Sequence, residues 1–92
     1  MHDTFLFERI ADALGNICEE NKIDKVRSLK VIVHIYSHVN QSNLSMHLKD
    51  KLPEYIGDWT EVIVKRKDIE ELTAVIDTVE GDGREKRNKY IK

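Results

Sequence analysis

The stretch KVRSLKVIVHIY, residues 25–36, constrains the fold most, because there the apolar residues stop recurring at three- and four-residue steps and begin to alternate. Leu29, Val31, Val33 and Ile35 take one side of an extended chain, Lys30, Ile32, His34 and Tyr36 the other, and β-branched residues dominate. A strand with one apolar face needs neighbours to pair with and a layer to cover that face. Helical patterns on both sides supply the layer. Before it, Leu6, Ile10, Ala13, Leu14 and Ile17 form the stripe of an amphipathic helix over residues 4–21, with Asp3 or Thr4 as its cap. After it, Asn40 or Ser42 can cap a helix of about three turns carrying Leu44, Leu48 and Leu52, closed by Pro53 and Gly57.

Residues 59–65, WTEVIVK, give a second strand. The segment that follows RKDIEE has two readings. Thr73, Val75, Thr78 and Val79 favour a strand forming a hairpin with the preceding one, whereas a capping box at Asp68 and Glu71, with Ile69, Leu72, Ile76 and Val79 at helical spacing, favours a helix. The strand is the expectation. The order α-β-α-β-β then predicts a small two-layer α/β domain of the α+β kind, with about three strands in a mixed sheet and both helices on one face. Its first two strands should be parallel through a right-handed crossover and its last pair antiparallel. The expected core is Leu6, Ile10, Leu14, Ile17, Val31, Val33, Leu44, Leu48 and Val62.

With 40% of its 92 residues hydrophobic, 35% charged and a net charge of −2, the chain has the composition of a soluble globular protein. Residues 84–92, REKRNKYIK, carry a net +4, which leaves −6 on the rest. Residues 1–83 are thus expected to form one compact domain, and 84–92 a flexible basic tail. No apolar stretch approaches the roughly 18 residues that would span a membrane, and acidic residues interrupt the N-terminal segment where an export signal would be apolar. The lone Cys18 allows neither an internal disulfide nor a CxxC zinc pair, so the cytoplasm is the expected compartment and no zinc is expected.

Chemistry concentrates at Met1-His2-Asp3. A free α-amine on Met1, the backbone amide nitrogen of His2 and one nitrogen of its imidazole can close adjoining chelate rings on a single ion. Such a donor set prefers a square plane, which suits Ni(II) or Cu(II). His34, His38 and His47 show no ligand spacing and read as a half-exposed strand residue, a loop residue and a helix-boundary residue. Cys18, one turn after Leu14, reads as a buried core thiol. The carboxylates Glu70, Glu71, Asp77, Glu80 and Asp82 read as a solvated surface. The chain carries no phosphate loop, nucleophile elbow or HExxH pattern, so no enzymatic activity is expected.

The opening Met1-His2-Asp3, followed by Leu6, Ile10, Lys25-Val26, Leu29, Val31, Val33, Ser37, Val39 and Leu44, resembles the nickel-incorporation accessory proteins of hydrogenase and urease maturation, the HypA-type family. Members begin Met-His-Glu and run Gly-Glu-Leu-Ser-x-Val at the strand end; here the latter stands as His34-Ile35-Tyr36-Ser37-His38-Val39. The resemblance covers residues 1–48 by motif, and 59–80 by strand order and the Glu-Leu-x-x-x-Ile pattern of Glu71, Leu72 and Ile76. Asp3 replaces the family's Glu, and His34-Ile35 replaces Gly-Glu. The family's zinc module, two CxxC pairs between the last two strands, is missing between Val64 and Leu72. The resemblance implies a nickel-binding metallochaperone with His2 as principal ligand, delivering Ni(II) to an apo-metalloenzyme or a maturation-factor partner.

A different class of function remains open beside it. A sheet covered on one face leaves Ile32, His34 and Tyr36 on the other, where a metal-free relative could dock a partner protein or a second copy as a homo-oligomer. Nucleic-acid binding through the basic tail is not expected, since aromatic platforms are lacking save Tyr90.

Overall fold

The structure, a computed structural model, describes residues 2–83 and 88–91, with side chains for residues 5–83. It runs α1 (His2–Glu20), β1 (Ile23–His34), α2 (Gln41–Lys51), β2 (Glu61–Lys67), β3 (Ala74–Gly83) and β4 (Asn88–Ile91). The α-β-α-β-β order and the two-layer arrangement are those expected. The sheet, however, has a fourth strand: Asn88–Ile91, inside the segment expected to be a flexible tail, pairs antiparallel with β3. Residues 84–87 and 92 of that segment lie outside the described residues.

The strand order is β2-β1-β3-β4, with β1 parallel to β2 and antiparallel to β3. The hairpin expected between the last two strands of the α-β-α-β-β order does not form. The stretch from 68 to 73 carries the chain across to the far side of β1, which leaves β2 as a sheet edge. Leaving β2 there makes the most apolar strand the central one, paired on both sides.

Local chemistry sets the element ends. Lys22, in the left-handed region at φ 56°, turns the chain out of α1 and into β1. Asn40 caps α2 by accepting the Asn43 backbone N–H at 2.8 Å, while the Asn43 side chain accepts the Asn40 N–H at 2.8 Å. The helix stops at Lys51 because Pro53 forces Leu52 out of helical backbone, to φ −129° and ψ 59°. Arg66 donates to the carbonyls of Ser37 at 2.7 Å and Val39 at 2.6 Å, clamping the end of β2 to the connection that leads into α2.

One core joins the layers. Leu6, Ile10, Leu14 and Cys18 of α1 and Leu44 and Leu48 of α2 close over Leu29, Val31 and Val33 of β1, with Val62 of β2 and Val79 of β3. Ile17, expected among them, is half-buried at the margin of this cluster. Two inward-facing runs break strict alternation: the buried Ile23, Val26 and Leu29 lie three apart, as do the half-buried Ile76 and the buried Val79. Bulges reconcile them with a sheet, since Lys30 pairs with Thr78 but the next residue, Val31, pairs with Ile76, leaving Asp77 as the extra residue.

Gly81 pairs with Val26 where β3 passes close to the β1 backbone. A Cβ there would press into the Lys25 carbonyl oxygen, which is backbone and cannot swing aside, and would sit 2.7 Å from Ile23 Cγ2. Gly81→Ala should therefore destabilise the protein by about 1–3 kcal/mol in urea denaturation; an unchanged midpoint would show that the strands can separate locally without cost.

Candidate functional site

His2 is the first residue of α1. The first four N–H groups of an α-helix have no intrahelical acceptor, so the amide nitrogen of His2 can lose its proton to a metal without a helix hydrogen bond being broken. The chelate of amine, amide and imidazole would fix the Met1 ψ and, because its second ring contains the His2 N–Cα and Cα–Cβ bonds, the His2 φ and χ1. A helical φ sets the His2 Cβ anti to the Met1 carbonyl carbon, on the side where the metal would sit, and the His2 ψ stays free. The helical start is thus compatible with the donor set. Met1 lies outside the described residues, as do the side chains of His2 and Asp3. Among the described residues no three His, Cys, Asp or Glu side chains converge as a metal-ligand set.

The remaining histidines are dispersed over the molecule. His34 closes β1, where its Nδ1 accepts the Tyr36 backbone N–H at 3.1 Å and its ring tilts 53° against that of Tyr36, 5.6 Å between centroids. His38 is exposed in the loop before α2, its carbonyl accepting from the Asn43 side chain at 2.9 Å. His47 lies well inside α2 and stacks on Phe7 at 5.0 Å and 24°, against the reading of it as a helix-boundary residue. Phe7 follows Asp3 by one helical turn.

His47 Nε2 is closed off from solvent and, among the described residues, has no hydrogen-bond partner. A buried polar atom without a partner keeps its desolvation cost, which an apolar group of like shape removes. His47→Phe should accordingly raise stability by about 1 kcal/mol in urea denaturation, and a comparable loss would mean that Nε2 is engaged.

Cys18 is fully buried, and burial pushes its thiol from 9.0 to about 11, so it carries no thiolate at neutral pH and fits the core role expected. Of the acidic residues, Asp82 is held by Arg27 at 2.8 Å and Asp77 is half-buried at the bulge, whereas Glu70, Glu71 and Glu80 face solvent. A cleft of about 310 Å³ is lined by Asp24, Lys25, Glu54 and Tyr55. Its Lys25 ammonium lies over the Trp59 ring at 4.4 Å, and that ring in turn rests on Gly57. The arrangement is a packing device that sequence reading missed, although Gly57 two residues before an aromatic was a signal for it.

The second candidate is the sheet face opposite the helices. Ile32 and Ile63 are half-buried there and Val75 is 49% exposed, while Tyr36, just beyond β1, is 78% exposed. Ile32 and Tyr36 were legible from β1 alone; Ile63 and Val75 join them only through the pairing register.

The chain matches no model of a known protein family and no curated protein sequence. Among the described residues, no helix is long and apolar enough to cross a membrane.

Proposed function

We propose that this protein is a nickel-binding accessory protein, holding Ni(II) at the head of α1 through the Met1 α-amine, the His2 amide and the His2 imidazole. The observation that carries this reading is the position of His2 as the first helical residue, which leaves its amide uncommitted. Asp3 supplies negative charge beside a cation that would otherwise meet the positive end of a helix macrodipole. Three nitrogen donors leave one corner of a square plane vacant. A ligand from an apo-metalloenzyme or maturation-factor partner can enter there, so the site can pass its metal on. The same chemistry suits the cytoplasm, where a client enzyme is matured and Cys18 stays reduced.

Calorimetric nickel titration of protein with a free Met1 amine tests the proposal. His2→Ala should abolish binding, whereas His34→Ala and His38→Ala should bind like the unaltered protein. Equal binding by His2→Ala would overturn it.

A further inference from the structure

The open face of the sheet carries a graded charge along its strands. At one end Ser28 is flanked by Glu61 of β2 and Glu80 of β3; next come Ile63, Lys30 and Thr78 side by side; then Lys65, Ile32 and Val75; and finally Lys67 beside His34. Glu61 and Glu80 thus occupy one end and Lys67 the other, with Lys30 and Lys65 interleaved among Ile63, Ile32 and Val75 between them.

We infer that this face packs against a second copy of the chain, the two sheets stacked with their strands antiparallel. A two-fold axis between the sheets and perpendicular to the strands lays β2 over β2 and reverses its direction. Glu61 then faces Lys67 of the other copy, twice per dimer. Ile32 falls beside Ile63 of the other copy and Lys30 beside its Lys65, the aliphatic stems covering the isoleucines, and the repulsion between these lysines is offset by Glu61 and Glu80 set over the lysine end of the other copy. The alternative axis, parallel to the strands, sets Glu61 over Glu80 and is disfavoured by like charge. Charge complementarity therefore selects a second copy in one orientation. This inference is independent of the nickel reading.

Sedimentation equilibrium across a wide concentration range tests it, with circular dichroism to confirm folding of each variant. The unaltered chain should reach a monomer–dimer equilibrium. Glu61→Lys alone and Lys67→Glu alone should each weaken association by at least about tenfold. An equimolar mixture of the two variants should associate again, because each then meets its opposite charge. Val75→Asp, at an exposed position outside β2, should also remove the dimer. A monomer at every concentration would overturn the inference, as would failure of the mixture to associate. Retention of the dimer by Val75→Asp would overturn it too, since pairing through the β2 edge could bring Glu61 to Lys67 without using Val75.

Discussion

Leu14→Ala should cost about 3–5 kcal/mol, at the upper end of the range for a buried leucine. Leu14 has no exposed surface and sits at the middle of α1, where both neighbouring layers are already committed. Beneath it runs the central strand, fixed by pairing on both sides, and beside it lies α2, fixed by its Asn40–Asn43 cap and by Leu44 and Leu48 in the same core. None of these can move in to fill the space without breaking sheet or cap hydrogen bonds, so the cavity stays open. A chain of this length has roughly 5–14 kcal/mol in total, and the variant would lose a large part of it. Urea denaturation should show a lower midpoint at an unchanged slope, since the surface exposed on unfolding is nearly the same. Met46→Ala, at a position 70% exposed on α2, should shift the same curve by no more than about 0.5 kcal/mol.

The second large effect is expected at the other end of α1, and it concerns binding rather than stability. Each proposed donor must lose a proton before it binds a metal: the ammonium of Met1, the amide of His2 and, in mild acid, the imidazolium. Nickel affinity should therefore be weak in mild acid and rise steeply through neutrality, with protons released as the metal enters. Acetylation of the Met1 amine removes one donor and leaves every side chain intact. It should be nearly as damaging as His2→Ala. Neither change should alter the urea midpoint by more than about 0.5 kcal/mol, because the end of a helix contributes little packing.

How far the sequence could be read depended on whether a feature was local. The cap of α2, the central strand and most of the core follow from residues within a few positions of one another, and Asn40, Val31 and Leu48 stand where the patterns put them, whereas α1 begins at His2, ahead of the Asp3 or Thr4 expected to cap it. The strand at 74–83 was obscured because its bulge at Asp77 sets Ile76 and Val79 three apart, a spacing that a helix also gives. The same happens at the start of β1, where Ile23, Val26 and Leu29 are all buried across two bulges. Strand order was not legible: nothing in residues 68–73 says whether the chain turns back beside β2 or crosses to the far side of β1. The fourth strand was hidden by polarity, since Asn88–Ile91 adds pairing at an edge and little apolar pattern.

The two candidate sites divide along the same line. A chelate built from Met1 and His2 is contained within adjacent residues, so its donors could be named before any fold was known. That His2 heads a helix with its amide uncommitted was not legible at that resolution, because Asp3 and Thr4 were better caps by type. The open face needed the register: Val75 stands beside Ile32, forty-odd residues away in sequence, only because β3 pairs antiparallel with β1.

The central claim, a metal site at the head of α1, is tested most directly by the absorption spectrum of the protein titrated with Ni(II) above neutral pH. Protein with a free Met1 amine should turn yellow as a diamagnetic square-planar complex forms at one equivalent, while the acetylated protein and His2→Ala should stay colourless. The same spectrum from all three, or none from the first, would contradict the account.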